Sequence, residues 1–160
     1  MNLEETIQFF INDHQKLEDL LSKLTVNQMS NEPVQGDWTV KAIIAHISAW
    51  NWELITQTDR VLSGRRPWYA NTTETEFNEK AVKVRKTWSL EKTISEWRES
   101  FDALISRMKN LSPEEWTFEL SEEWPEGGNI TVASIFGYRY LSEGHEGGHA
   151  ILIRKYFDIE

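Results

Sequence analysis

Trp38-Thr39-Val40-Lys41-Ala42-Ile43-Ile44-Ala45-His46-Ile47-Ser48-Ala49-Trp50 is the stretch from which the fold can be read. Thr39 stands where a helix N-cap is wanted, because its hydroxyl can accept a bond from one of the first free backbone N–H groups. The helix is expected to run from about Val40 to about Leu62, where Ser63-Gly64 and then Pro67 stop it. Ile43, Ile44, Ile47, Trp50, Leu54 and Val61 recur at helical spacing and form one apolar face. His46 lies at the edge of that face, roughly 80° from its centre by the 100° per residue rule.

Working outward, three further stripes repeat the three-four alternation of a core-facing helix. Leu3, Ile7, Phe10, His14, Leu17, Leu21 and Leu24 form the first, with His14 counted as inward-facing. Ser89 caps another, carried by Leu90, Ile94, Trp97, Phe101, Leu104, Met108 and Leu111. Thr131 is expected to cap the last helix, which runs to about Tyr156 with the inward line Ile135, Tyr138, Ser142, His145, His149, Leu152 and Tyr156. Between the second and third stripes lies a long connection, residues 64 to 88, with a short helix expected between about Thr75 and Lys86. A connection of that length permits two helices to run parallel, which a tight turn does not. Ser112-Pro113-Glu114-Glu115 predicts one short helical turn, and Thr117 to Asn129 a loop with a little strand at 117 to 120. No repeat or low-complexity linker interrupts the chain, so the expectation is one all-α domain over residues 1–160, a four-helix bundle.

Composition narrows the function. The 160 residues carry a net charge of -9, which argues against a nucleic-acid partner, since phosphate binding needs clustered Lys and Arg. Hydrophobic residues make up 39% and charged residues 27%, and no apolar run is long enough for a membrane span. The acidic start Met1-Asn2-Leu3-Glu4-Glu5 lacks the basic and apolar regions of a signal peptide, so a cytoplasmic location is expected. With no cysteine, the chain has no thiol nucleophile or thiolate metal site of its own, and thiol chemistry would need an external thiol. Eight tryptophans suggest a large apolar pocket, a subunit interface, or both.

The chemistry concentrates near the C-terminal end, at Glu143-Gly144-His145-Glu146-Gly147-Gly148-His149-Ala150. Two histidines four apart share one face of a helix and can converge on one ion. Glycines at 144, 147 and 148 cost a helix roughly 1 kcal/mol each in its interior, which calls for close approach of a neighbouring helix or a ligand. His46 supplies a third imidazole from another helix, and three imidazoles leave a divalent ion open to water. His14 reads as a core residue or a support to the ligands. His145-Glu146-Gly147-Gly148-His149 also matches the H-E-x-x-H pattern of zinc peptidases, but no third histidine follows it. A di-iron centre would need a second Glu-x-x-His, and Ile43 and Ile11 stand where its glutamates would be.

The run from Trp38 to Trp50, followed by Glu53, and the terminal His145-x-x-x-His149 resemble the DinB-like (YfiT-like) metalloenzymes, over essentially the whole chain. The resemblance implies a four-helix bundle with up-down-down-up topology, a frequent homodimer, and a divalent metal on one histidine of the second helix and two of the fourth. Matched residue by residue, these are His46, His145 and His149. The family includes S-transferases using low-molecular-weight thiols, metal-dependent hydrolases or isomerases, and ClbS/DfsB-like resistance proteins. The expected function is therefore transfer or hydrolysis on a small molecule, by a water or external thiol activated on Zn, Ni, Fe or Mn. A non-catalytic bundle that sequesters a toxic small molecule is the alternative, and an interaction module with a tryptophan dimer face a third. Glu53 and Glu146 are candidates for orienting a ligand or moving a proton, or else solvated carboxylates. Trp50, Trp52, Trp68 and Tyr138 are candidate pocket residues, with Trp50 and Tyr138 equally open to a core role. Arg65 and Arg66 either meet an anionic substrate or are solvated in their loop.

Overall fold

A computed structural model describes all of residues 1–160. Four long helices dominate it: α1 (Leu3–Leu21), α3 (Val40–Leu62), α5 (Leu90–Lys109) and α8 (His145–Phe157). The shorter elements are α2 (Val26–Asn31), α4 (Thr75–Arg85), α6 (Pro113–Trp116) and α7 (Val132–Ile135). Two antiparallel hairpins complete the chain, β1 (Pro33–Gln35) with β2 (Trp38–Thr39) and β3 (Glu119–Glu123) with β4 (Asn129–Thr131). Helix starts follow local capping chemistry. The Thr39 and Ser89 side chains accept from the N–H groups of Ala42 and Lys92, and Asn2 with Glu5 closes a capping box on α1.

The fold is an up-down-down-up four-helix bundle, and the cross-helix pairs show its sense. Between α3 and α5, Asn51 meets Ser100 and Asp59 meets Arg107, so both sequences advance together and the helices are parallel. Between α1 and α5, Glu18 meets Arg98 whereas His14 stacks on Phe101, so these two are antiparallel. The parallel step is made by residues 63–89, which hold a 3-10 turn (Trp68–Asn71) and α4.

Two apolar clusters fill the interior. One gathers Leu17, Leu20, Ile43, Ile44, Ile47, Trp97 and Ile153; the other gathers Val61, Phe101, Leu104, Met108, Trp116, Ile130 and Phe136. His14 lies at their seam, stacked on Phe101 with ring centroids 3.7 Å apart and tilted against Trp97 at 4.4 Å.

The last helix differs from the sequence expectation. Thr131 does cap a helix, but α7 ends at Ile135, and α8 begins only at His145. Between them Tyr140 and Glu143 exchange both backbone hydrogen bonds around Leu141 and Ser142, whose φ values of 52° and 68° are left-handed. A continuous helix is impossible through such a turn. Consequently Tyr138, Ser142 and Tyr156 do not form an inward line; Tyr138 is 61% exposed and Tyr156 47%. The strand expected at 117 to 120 lies slightly later, at Glu119–Glu123, and its hairpin partner Asn129–Thr131 was not foreseen.

Candidate metal centre

α3 and α8 bring His46, His145 and His149 together. His46 Nε2 lies 2.8 Å from His145 Nε2, and His149 Nε2 lies 3.2 Å from the same atom. One nitrogen of each ring falls within 4.8 Å of the others, with His46 and His149 buried and His145 half-buried. A neutral imidazole nitrogen is either a donor or an acceptor. His145 Nε2, facing two other Nε2 atoms, therefore cannot satisfy both contacts well, and at least one lone pair is turned on a crowded neighbour. A cation among the three nitrogens resolves that conflict, so the donor set suits a metal ion.

Burial keeps these rings neutral, as ligands must be. It holds His46 down to about 4, with Asn78 nearby opposing slightly although no well-aligned bond reaches His46 Nδ1. His149 is lowered to about 3 by burial and then by His46, and His145 well below the usual value by burial and then by its two partners. His149 is also oriented: Gln35 Oε1 lies 3.1 Å from Nδ1, an acceptor that fixes the proton there and turns the Nε2 lone pair inward. Tyr140 and Trp38 flank His149 and His46 with ring centroids 5.1 and 5.0 Å away.

The glycines follow from α1. Gly144 occupies the N-cap of α8 and has no side chain to do the capping. Asp13 does it from α1, its Oδ2 accepting from Gly147 N–H at 2.7 Å. A Cβ on Gly144 would sit 2.6 Å from Asp13 Oδ2, and one on Gly147 would run into the same carboxylate. A Cβ on Gly148 would meet Tyr140. The close approach expected from the glycines is thus that of α1, together with the returning turn before α8.

Glu146 is buried, with one carboxylate oxygen 2.8 Å from His14 Nδ1 and the other accepting from Trp97 Nε1 at 3.0 Å. It is not a solvated surface group, and His14 supports the ligand helix through it. Glu53 accepts from Gln57 and from Trp68 Nε1, and neither Glu53 nor Trp68 lines the cavity beside the histidines. Trp68 instead backs Trp50, ring on ring at 6.0 Å. Trp50 and Tyr138 do line that cavity, which measures about 780 Å³. Trp52 points to Glu96, and Arg66 to Glu122 and Asn71, while Arg65 is exposed. Asp13, Gln35, Trp38, Asn78 and Tyr140 are site residues that the sequence reading missed. Of these only Asp13 had a signal, a carboxylate one residue before the inward-facing His14.

Comparison with known proteins agrees with this architecture. No curated protein matches the sequence. Among solved structures, the mycothiol-dependent maleylpyruvate isomerase superposes with a TM-score of 0.74 at 14% identity, over 96% of this chain and 61% of its own. This chain thus spans less than two thirds of the isomerase. An uncharacterised protein from Escherichia coli UTI89 gives 0.75 at 12% identity, covering 99% of this chain and 96% of its own. A Streptococcus pneumoniae protein gives 0.71 at 15%, covering 99% and 92%. At such identities the likeness is one of fold. The sequence itself matches the family model of the DinB superfamily over residues 10–153, nearly the whole bundle, and the chain belongs to that superfamily.

Proposed function

We propose that this chain is a divalent-metal-dependent enzyme that acts on a small molecule by transfer or hydrolysis, with His46, His145 and His149 as its protein ligands. The convergence of three neutral imidazoles at one side of a large cavity carries the reading. Three imidazoles leave positions free for other ligands and suit Zn, Ni, Fe or Mn. When bound, such an ion supplies Lewis acidity, making a water or a thiol a nucleophile near neutral pH. The likeness to a mycothiol-dependent isomerase supports the thiol version, and with no cysteine in the chain that thiol would come from outside.

The chain's own residues supply position and exclusion. Gln35 aims His149, Asp13 holds the first turn of α8, and the His14–Glu146–Trp97 chain ties that helix to α1 and α5. Tyr138, 61% exposed at the cavity wall with its hydroxyl pushed up by partial burial and then by Tyr140 and Glu74, is placed to donate to a bound substrate. Glu146, engaged on both oxygens, acts as a positioning residue under this reading. A single domain over 1–160, a cytoplasmic location and a homodimer belong to the same proposal. The first is supported by the near-complete span of the family match. For location, the observation is that no helix is long and apolar enough to cross a membrane.

The test is the metal content of untagged protein supplied in turn with Zn, Ni, Mn and Fe, beside His46→Ala, His145→Ala and His149→Ala. The expected result is about one ion per chain, lost in all three variants with helical circular dichroism preserved. A variant that keeps its metal would remove its histidine from the set. Metal-dependent turnover with low-molecular-weight thiols or hydrolysable substrates then separates an enzyme from a sequestering protein, whose ligand would be retained unchanged.

A further inference from the structure

We infer that the cavity beside the three histidines takes an aromatic or apolar ligand carrying a positive charge, of the ammonium class, in preference to a neutral or anionic one. This rests on the reading of that cavity as the substrate site. Four carboxylate residues line it, Asp13, Glu74, Glu126 and Glu146, and no lysine or arginine does, although the chain has 17 of them. The basic groups at its rim already have partners. Arg139 lies over the Phe9 ring and donates to the carbonyls of Phe136 and Tyr138, and Lys16 pairs with Glu143.

The wall is built from electron-rich rings. Trp50 and Tyr69 meet edge to face at 5.5 Å, and Tyr69 stacks on Trp124 at 6.0 Å, giving a continuous aromatic corner. The faces of such rings attract cations, and more strongly where water is excluded. Glu74, just before α4, and Glu126, in the β3–β4 turn, are exposed cavity residues from two separate elements. The Glu74 field reaches the wall: the Tyr69 hydroxyl is pushed up by burial first, and then by Glu53 and Glu74. Deeper in, Asp13 is 5% exposed and adds a further carboxylate to the lining, its Oδ2 already accepting from Gly147 N–H.

A metal ion at the histidines adds positive charge on its own side of the cavity. The ligand's ammonium therefore belongs among the rings and the Glu74 and Glu126 carboxylates, and its reactive end faces the histidines. An anion entering by the same path meets carboxylates and ring faces with no basic residue to receive it.

Three probes of one shape and different charge test this by calorimetry on the full chain: tryptamine, tryptophol and indole-3-acetate, each with metal-free and zinc-loaded protein at pH 7. The metal-free protein is expected to bind tryptamine about tenfold tighter than tryptophol, with indole-3-acetate weakest. In Glu74→Gln/Glu126→Gln, two exposed changes that spare the core, the advantage of tryptamine over tryptophol should largely vanish. Equal binding of the three probes, a preference for the acid, binding of none, or a preference that survives the double variant overturns the inference. Zinc bound without the charge preference sinks this inference alone. Charge preference without any zinc binding sinks the metal-dependent function and leaves the ligand class standing.

Discussion

Replacing Gly147 with alanine should destabilise the protein, although helix propensity alone predicts the reverse. Gly147 is the third residue of α8, and in an exposed helix the change would gain about 1 kcal/mol. Here the new methyl would fall on the Asp13 carboxylate and 2.9 Å from Glu143 Cβ, so something must move. Overpacking of this kind costs about 1–3 kcal/mol, and displacing Asp13 also loses the cap it makes to Gly147 N–H, about 1 kcal/mol more. Set against the propensity gain, the net loss is about 1–3 kcal/mol, which for this chain length lowers Tm by about 2–4 °C per kcal/mol. Urea unfolding of Gly147→Ala, Asp13→Ala and the double variant measures it. In the Asp13→Ala background the methyl finds room on the α1 side and still presses on Glu143, so its cost should shrink to near zero. That gives a coupling of about 1–3 kcal/mol between residues 134 positions apart. Zinc affinity should fall in Gly147→Ala as α8 shifts under its two histidines. A Gly147→Ala protein as stable as the parent, or additive effects in the cycle, would refute the claim that α1 packs against the backbone of α8 here.

Three other outcomes follow from the site. Gln35→Ala should weaken metal binding about 10–100-fold with unchanged helicity, because His149 loses the acceptor that fixes its tautomer; competition with a chromophoric chelator measures this. Glu146→Gln should keep one metal per chain but lose about 1–3 kcal/mol of stability in urea, since one amide cannot accept from both His14 and Trp97 through two oxygens. In the metal-free protein, stability should fall as pH drops from about 6.5 toward 4. Unfolded imidazoles take up protons in that window while folded His46, held at about 4, and His149, at about 3, refuse them, so acid favours the unfolded state. Asp13, raised by burial, opposes this, because its folded form takes a proton more readily than its unfolded form. Tm recorded against pH, with and without zinc, checks the sign.

The bundle was legible because its signals are local. Thr39, Ser89 and Ser112 mark helix starts by their own side chains, and α3 occupies the expected span Val40–Leu62. The three histidines were legible because few residue types pair at four-residue spacing with a third on an apolar face. What escaped depends on distant partners. Asp13 caps a helix that starts 132 residues later, and its place beside the inward-facing His14 marks it as inward without naming that distant partner. The break before α8 was missed because Leu141 and Ser142, neither of them glycine, adopt left-handed backbone, and Tyr138 and Ser142 fit a helical count by chance. Glu53 shows the reverse: adjacency to the His46 motif suggested chemistry, and in the structure Gln57 and Trp68 both donate to its Oε1, outside the cavity lining.

The long return between the two parallel helices has a consequence for how such a molecule diversifies. The three imidazoles stand on α3 and α8, whereas Tyr69, Glu74 and Asn78 come from the crossing segment and Trp124 and Glu126 from a hairpin. The histidines that would hold an ion and much of the wall that would judge a substrate therefore come from different pieces of chain, although Trp50 shares α3 with His46. Changes in the crossing segment can retune what is accepted without disturbing the helices that hold the histidines, so one scaffold can serve many chemistries while its centre stays fixed.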